Sequence, residues 1–247
     1  MKKFIKIKLK ELGYELKKLP QIVNDKGRSF QCALTTADAL SRCRERGIKV
    51  NTVIDIGASD GRWSLDCLSL FPGAQYLLVE AQKEHENSLR SVVEVHPNFE
   101  YVIAAAGRGE GKVYFNNDSL FGGTAFSEPI DGGIEVLMTS IDHEVKTREL
   151  ASPYLIKLDT HGFEVPILEG AKETIKHASL VIIEAYNYRL LKDSLKYYEL
   201  CVYMEKLGFS TIEMVDVMLR QHDASFWQMD LFFIPSNSKE FSVNSYK

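Results

Sequence analysis

The chain has 247 residues, of which 45% are hydrophobic and 26% charged, a composition typical of globular proteins that excludes a disordered or fibrous chain. Its net charge of −4 is unevenly distributed, because residues 1–28 carry nine lysine and arginine residues against three acids, a net +6 that leaves −10 for the rest. Since nucleic-acid affinity depends on clustered basic residues, a body this acidic excludes nucleic acid as the expected substrate.

The basic N-terminal segment has the pattern of an amphipathic helix. Its apolar residues, spaced by four, three and four positions, are Ile5, Leu9, Leu12 and Leu16. Lysines interrupt every apolar run, so the segment is not a secretory signal. It is interpreted either as a helix that packs on the domain or a partner, or as a basic helix on an anionic membrane surface. With a second helix near residues 35–46, it forms a predicted N-terminal helical extension over residues 1–50.

The chain contains four cysteines without Cys-x-x-Cys pairing or metal-ligand spacing. They are Cys32, Cys43, Cys67 and Cys201. This usage is typical of a reducing compartment and predicts a cytoplasmic protein, with peripheral contact to the inner membrane face through residues 1–28 as an addition. No apolar run reaches the 18 residues that a membrane-spanning helix needs.

From residue 51 onward, apolar strands alternate with helices, a pattern that indicates parallel strands joined by crossovers. The first strands are "VNTVIDIG", "QYLLVEA" and "FEYVIAAAG", with helices between them. Residues 107–150 break this rhythm and are expected to form extra β structure around a Gly-rich loop. Its segment "SLFGGTAFSEPIDGG", with Phe121, Gly122, Gly123 and Phe126, is the candidate acceptor-side loop.

After the insertion, the alternation of strands and helices resumes. The later strands are "YLIKLD", "SLVIIEAY", "FSTIEMV" and "QMDLFFIP". Residues 51–235 are therefore assigned to one α/β domain, and residues 236–247 to a C-terminal tail.

The first strand ends in "DIGASDG", where Asp55 precedes two glycines. Gly57 permits a tight turn, and Gly61 lets the next helix start close to the strand. A nicotinamide dinucleotide site requires Gly-x-Gly-x-x-Gly, whereas Ser59 stands in this loop. A carboxylate ahead of the first glycine suits a cationic ligand without phosphates, such as the amino-acid portion of S-adenosylmethionine.

Glu80 ends the neighbouring strand, where its carboxylate is placed to accept hydrogen bonds from both hydroxyls of a ribose. The competing interpretation is that Asp55 and Glu80 only cap helices or turns. Because both acids follow consecutive strands, the cofactor interpretation is favoured.

Three segments, "VIDIGASDG", "YLLVEA" and above all "LIKLDTHGFEVPILEGA" followed by "LVIIEA", resemble the FkbM family of S-adenosylmethionine-dependent methyltransferases. The first motif is shared by many class I methyltransferases, while the third is distinctive of this family. The resemblance runs from about residue 51 to 235 and does not cover residues 1–50.

The resemblance implies a class I methyltransferase fold, Rossmann-like, with a seven-stranded sheet that is mostly parallel, an antiparallel last strand and helices on both faces. It implies transfer of a methyl group from S-adenosylmethionine to a hydroxyl of a sugar, glycan or natural-product acceptor. The candidate cofactor residues are Asp55, Gly57, Ala58, Gly61, Glu80 and Ala104.

The stretch after the fourth strand supplies the candidate catalytic residues Asp159, His161 and Glu164. His161 is a candidate base because an unperturbed histidine is mostly neutral at physiological pH. Family members often carry Gln or Glu at this position, so His161 either changes the base chemistry or only contacts the substrate. Asp159 could orient the hydroxyl, contact the cofactor's ammonium group or cap the helix. Glu164 is a candidate because the resemblance places a Glu there, although it also suits a helix first turn.

Glu184 ends the next strand and is expected to face the same crevice as Asp159. Two acids and a histidine raise the alternative of a Mg²⁺ site, but strand-end carboxylates are common without metals, so no metal ligand is assigned. Two other functions compete with methyl transfer: a cofactor-binding module without catalysis, and a nucleotide-dependent oxidoreductase, which Ser59 disfavours. The sequence leaves the acceptor, the methylated position and the oligomeric state open.

Overall fold

The computed structural model describes residues 21–23, 29–31, 34–116 and 122–245. The strands are β1 (Gln21–Val23), β2 (Ser29–Gln31), β3 (Thr52–Ile56), β4 (Gln75–Glu80), β5 (Phe99–Ile103), β6 (Ala105–Ala106), β7 (Gly111–Asn116), β8 (Thr124–Phe126), β9 (Ile134–Thr139), β10 (Tyr154–Leu158), β11 (Ala178–Tyr186), β12 (Phe209–Leu219) and β13 (Phe226–Pro235). The α-helices are α1 (Thr36–Glu45), α2 (Arg62–Leu68), α3 (Glu86–Val95), α4 (Ile141–Thr147), α5 (Glu164–Glu169) and α6 (Tyr197–Lys206). Three 3₁₀ turns complete the described elements: Lys83–His85, Thr174–His177 and Lys239–Phe241.

A seven-stranded sheet with the order β12-β13-β11-β10-β3-β4-β5 forms the centre of the fold. The strands run parallel except β13, which pairs antiparallel with both β11 and β12. This confirms the predicted mostly parallel sheet with an antiparallel last strand. The carboxyl ends of β3, β4, β10 and β11 therefore meet at one edge.

Apolar residues cover both faces of the sheet, as expected for buried parallel strands. All five residues of β3 and of β10 are buried. On one face, Ile54 and Ile156 pack in a core that includes residues of α4, α5 and α6. On the other face, Val53 and Leu155 pack against residues of α1, α2 and α3. The helices thus lie on both faces, as predicted.

Part of the predicted insertion, residues 107–150, forms a second, four-stranded sheet in the order β6-β9-β7-β8. β7 pairs antiparallel with β8 and β9, while β6 continues from the end of β5 and pairs parallel with β9. The end of this stretch is helical, because Ser140 caps α4 by accepting a hydrogen bond from the amide of His143. Ile141 of α4 is fully buried in the main core, which ties the stretch to the sheet.

The predicted N-terminal helical extension is wrong for residues 21–23 and 29–31, where β1 and β2 pair as antiparallel strands. The β-branched residues Ile22 and Val23 favour a strand in β1. The second predicted helix is present as α1. The amphipathic helix through Ile5, Leu9, Leu12 and Leu16 lies outside the described residues. Within the described chain, no helix is long and apolar enough to cross a membrane.

Gly57 lies where the loop after β3 passes the loop after β10. Its φ is +79°, and a Cβ added there would lie 2.1 Å from the carbonyl oxygen of Asp159. Gly47 has a similar φ of +86°, but an added Cβ there meets nothing within 4 Å. The two glycines therefore separate the cost of backbone strain from the cost of a steric clash.

We expect Gly47→Ala to lower the free energy of unfolding by about 1–2 kcal/mol, the cost of a left-handed alanine. Gly57→Ala has the same backbone strain and also displaces the Asp159 backbone, so it should lower the free energy of unfolding by about 3 kcal/mol or more. Urea-induced unfolding of both variants measures the difference. Equal losses of unfolding free energy in the two variants would show that the loops after β3 and β10 do not approach this closely.

Candidate active site

A cavity of about 400 Å³ opens at the carboxyl ends of β3, β4 and β10. This is the edge where open α/β sheets bind ligands, and the volume is in the range of small-molecule sites. The loop after β3 forms one wall, together with Glu80 and Ala104. Asp159 and His161 form another, and residues of the insertion complete it.

The loop after β3 is held against β4 by its own backbone. The amides of Gly57 and Ala58 donate hydrogen bonds to the carbonyl of Val79 at 2.9 and 3.1 Å. Gly57 and Ala58 line the cavity. Gly61 does not line it; its φ of +84° starts α2, and an added Cβ would lie 3.2 Å from Leu78 Cδ2. Gly61 thus supports the close approach of helix and strand that was predicted for it.

Glu80 lines the cavity from the end of β4. Its Oε2 accepts a hydrogen bond from the amide of Ser59 and its Oε1 one from the amide of Gln82, both at 2.7 Å. Burial raises the pKa of Glu80, and the two amide hydrogen bonds oppose that rise. The carboxylate is therefore fixed in orientation, and each oxygen retains a second lone pair for a ligand.

Asp55 does not reach the cavity, in contrast to the predicted direct contact with the cofactor. Its side chain is fully buried between the sheet and α2, where Ser64 Oγ donates a hydrogen bond to Oδ2 at 2.7 Å. Burial raises the pKa of Asp55, and Lys157 opposes this effect. The reason is strand alternation, because Asp55 shares the face of Val53 that packs against the helices.

Lys157 is a site residue that sequence reasoning missed. It lies opposite Asp55 in the parallel register of β10 and β3, and its side chain is only 8% exposed. Its Nζ donates a hydrogen bond to Asp159 Oδ2 at 3.0 Å and lies 3.5 Å from Asp55 Oδ1. Burial lowers the pKa of Lys157, but the two carboxylates outweigh burial and leave the pKa raised. The available signal was a lysine within the apolar strand "YLIKLD".

Asp159, His161 and Glu184 lie together at the ends of β10 and β11. His161 Nε2 is 3.7 Å from Asp159 Oδ1 and 3.6 Å from Glu184 Oε2. Burial acts to raise the pKa of Asp159, but the Lys157 ammonium outweighs it and holds the pKa below its usual value. Burial and the Asp159 carboxylate raise the pKa of Glu184 to about 8. The structure thus brings together two predicted catalytic residues and the acid expected beside them.

The His161 ring connects this acid pair to the insertion. Its Nδ1 lies 3.2 Å from the carbonyl oxygen of Gly123. Because a carbonyl only accepts, Nδ1 is the protonated nitrogen in this hydrogen bond, and Nε2 faces the carboxylates. The backbone of His161 has a φ of +51°, a conformation uncommon for a non-glycine residue.

Glu164 is not among the residues that line the cavity, in contrast to the predicted catalytic role. Its side chain is buried and folds back on its own turn, where Oε1 accepts hydrogen bonds from the Gly162 amide at 2.8 Å and from Thr160 Oγ1 at 3.3 Å. Burial raises the pKa of Glu164. Glu164 therefore shapes the turn that carries His161.

The insertion contributes Phe115, Gly122, Gly123 and Ala125 to the cavity wall. Of the residues predicted for the acceptor-side loop, Gly122 and Gly123 line the cavity and Phe126 does not, while Phe121 lies outside the described residues. An added Cβ on Gly123 would lie 2.2 Å from the Phe115 ring, so only glycine fits here without rearrangement.

Comparison with known proteins gives a family match over more than half of the chain. The model of the methyltransferase FkbM domain matches residues 55–211. No curated protein sequence matches the chain.

Solved methyltransferase structures resemble the fold. The FkbM methyltransferase of Methylobacillus flagellatus KT is 16% identical with a TM-score of 0.50, and the match covers 74% of this chain and 43% of that protein. The chain thus spans less than half the length of that protein. The precorrin-6y C5,15-methyltransferase of Geobacter metallireducens GS-15 is 15% identical with a TM-score of 0.46, covering 88% of this chain and 98% of that one. At these identities the likeness shows the fold alone.

Lys157→Met tests the buried ammonium. The substitution leaves two carboxylates without their cation, so near neutral pH it should lower the free energy of unfolding by about 3–5 kcal/mol. Lys157 lowers the pKa of Asp159 in the folded protein. The stabilisation of the folded state by this ion pair is therefore complete above the usual aspartate pKa of about 4, and it is lost as the pH falls through the lowered pKa. The difference in free energy of unfolding between the wild type and Lys157→Met should therefore become smaller at acid pH, which denaturant unfolding at several pH values measures.

The matched control is Lys112→Met, which removes the exposed ion pair with Glu135. This variant should unfold like the wild type at either pH, because exposed pairs contribute little. If the free energy of unfolding that Lys157→Met loses does not depend on pH, then lost packing, and not lost charge, destabilises the variant.

Proposed function

The chain belongs to the FkbM family of methyltransferases, and we propose that it methylates a hydroxyl group of a sugar, glycan or natural-product acceptor. S-adenosylmethionine is the cofactor; its sulfonium methyl carbon is the electrophile, and the sulfur keeps the electron pair of the broken C–S bond. Family membership removes the oxidoreductase alternative. The hydroxyl acceptor and the roles of individual residues are the proposed part.

The cavity fits the cofactor in charge and in unpaired hydrogen-bonding groups. Among the described residues, the indole Nε1 of Trp63 is buried without a hydrogen-bond partner, and Trp63 lines the cavity. This donor would suit the carboxylate of the methionine portion. Glu80 would accept hydrogen bonds from the ribose hydroxyls, and Gly57 and Ala58 leave room for close approach of the backbone. The cofactor is a cation at its sulfonium and ammonium groups, which matches the surrounding carboxylates.

The observation that carries the proposal is the position of His161 and Asp159 in the cavity wall with Glu184 behind them. A hydroxyl with a pKa far above 7 must lose its proton as it attacks the methyl carbon. In the simplest form of the reaction, His161 Nε2 accepts this proton, and the Asp159 carboxylate stabilises the imidazolium that results. Lys157 keeps Asp159 ionised for this role.

Two other aspects of the proposal follow from sequence. The acidic body disfavours nucleic acid as the acceptor, so we propose a small molecule or glycan. Contact with a membrane surface would depend on residues 1–28, of which only 21–23 are described.

Cofactor binding at Glu80 is testable by thermal unfolding with S-adenosylhomocysteine. At about 100 times the dissociation constant, the ligand should stabilise the wild type by about 2.7 kcal/mol, or about 5–10 °C. Glu80→Gln should lose most of this shift. Glu86→Gln, an acid nearby in sequence that does not line the cavity, should keep it. If Glu80→Gln shows the same thermal shift with S-adenosylhomocysteine as the wild type, Glu80 does not bind the ribose.

Hydroxyl methylation is testable with radiolabelled S-adenosylmethionine and a panel of hydroxylated acceptors. With an active acceptor, His161→Gln and Asp159→Asn should each lower kcat by about 10²–10⁴-fold, because the hydroxyl is no longer activated. Both should keep the thermal shift with S-adenosylhomocysteine. Unchanged turnover in both variants would refute their roles, and binding without turnover across the panel would favour a non-catalytic module.

A further inference from the structure

We propose that Asp159, His161 and Glu184 form a binding site for a divalent metal ion, which holds the acceptor through two neighbouring oxygen atoms. This inference rests on the proposed function and adds to it how the hydroxyl is activated and which acceptors are suitable. It replaces direct proton transfer to His161, because a nitrogen that binds a metal ion cannot also accept the proton.

The geometry of the three side chains is close to that of a metal site. One ligand atom from each residue lies within 4.8 Å of the other two, and Nε2 is 3.6 and 3.7 Å from the nearest carboxylate oxygens. Ligand atoms about 2.0–2.2 Å from an ion lie roughly 3.0–3.5 Å apart at tetrahedral or octahedral angles. The two distances from Nε2 are therefore only slightly longer than those in an occupied site.

Groups outside the cluster hold each of the three side chains in place. His161 Nδ1 donates to the Gly123 carbonyl, the arrangement that metal-binding histidines commonly adopt. Asp159 Oδ2 is bound by Lys157, which leaves Oδ1 as the oxygen nearest His161. Glu184 accepts hydrogen bonds from the Tyr186 hydroxyl and the Gln228 amide. Such outer contacts orient the ligands of a metal ion.

The orientation of the side chains in the cluster suits a cation. With the ring proton on Nδ1, the Nε2 lone pair of His161 points toward oxygen atoms of Asp159 and Glu184. Lys157 lies against Asp55 and Asp159 and balances part of the negative charge. A metal ion between the three atoms would take the place of the proton that the cluster otherwise holds, on Nε2 or on Glu184.

The ligand set indicates the class of ion. One imidazole and two carboxylates suit Mn²⁺, Fe²⁺ or Zn²⁺ better than Mg²⁺ or Ca²⁺, which prefer all-oxygen sites. Three protein ligands leave coordination positions open on the cavity side. A 1,2-diol or an α-hydroxy acid would supply two oxygens to these positions, so we infer an acceptor of this chemical class.

The ion would make the hydroxyl more acidic, as bound metal ions do for water. In the transfer, one O–C bond forms and one C–S bond breaks. The hydroxyl proton leaves to water at the mouth of the cavity, and S-adenosylhomocysteine is the leaving product. Atoms and electrons balance without a further reactant.

Binding of Mn²⁺ to the full chain tests the site without relying on turnover. The protein is treated with chelator, exchanged into metal-free buffer with S-adenosylhomocysteine, and titrated with Mn²⁺ while the free ion is followed by electron paramagnetic resonance. We expect one bound ion per chain. His161→Gln and Glu184→Gln should each weaken binding by about 10–100-fold or more.

The control variant is His143→Gln, which changes an exposed histidine–carboxylate pair, His143 and Glu110 at 3.3 Å. It should bind Mn²⁺ like the wild type. Competition should show that Zn²⁺ displaces Mn²⁺ and that equal Mg²⁺ does not. The thermal shift with S-adenosylhomocysteine verifies that each variant is folded.

Two results would overturn the metal site. A wild type that gives the thermal shift but binds no stoichiometric Mn²⁺ would show that the cluster holds a proton and not a metal ion. Equal Mn²⁺ binding by the wild type, His161→Gln and Glu184→Gln would place the ion elsewhere. Failure of the proposed function is distinct, because it appears as a missing thermal shift in the folded wild type, whatever the Mn²⁺ result.

Discussion

The buried ammonium of Lys157 is the interaction on which the site depends. It lies between Asp55, which anchors α2 through Ser64, and Asp159, which faces the cavity. The parallel register of β3 and β10 pairs Lys157 with Asp55, so the sheet itself creates the contact. Without this cation, the fully buried carboxylate of Asp55 would lie beside Asp159 with no ammonium group between them, at a cost of several kcal/mol. The loop after β3 and the acid after β10, which both line the cavity, therefore share one electrostatic support.

A second constraint comes from the insertion, which reaches the same cluster from the other side. The Gly123 carbonyl fixes the orientation of His161, and Gly123 itself fits against the Phe115 ring because it lacks a Cβ. Glu164 holds the turn that carries His161 from within. The imidazole is thus positioned by the insertion and by its own loop, which gives the insertion a function in preorganising the site.

The sequence predicted the strands and their ends because apolar runs and glycines are local signals, while the mostly parallel seven-stranded sheet was implied by the family resemblance. Glu80, Asp159 and His161 could be placed in the cavity on that basis, since the carboxyl ends of parallel strands meet at one edge. The orientation of the Asp55 side chain depends on which face of the sheet its position in β3 takes. The pairing of Lys157 with Asp55 depends on the register between β3 and β10, which cannot be read from either strand alone. The contact of His161 with Gly123 joins residues 38 positions apart through the insertion. Glu164 was misassigned because a helix first turn and a catalytic acid look alike in sequence.

The distribution of charge differs between the two ends of the cavity. At one end, Glu80 is a single acid whose oxygens are already engaged by backbone amides, which suits neutral hydroxyls as added donors. At the other end, Asp159 and Glu184 are close enough for the Asp159 carboxylate to raise the pKa of Glu184. Placing like charges together is costly in the free protein, and a cation recovers that cost on binding. The acids at the ends of β10 and β11 therefore favour positively charged partners.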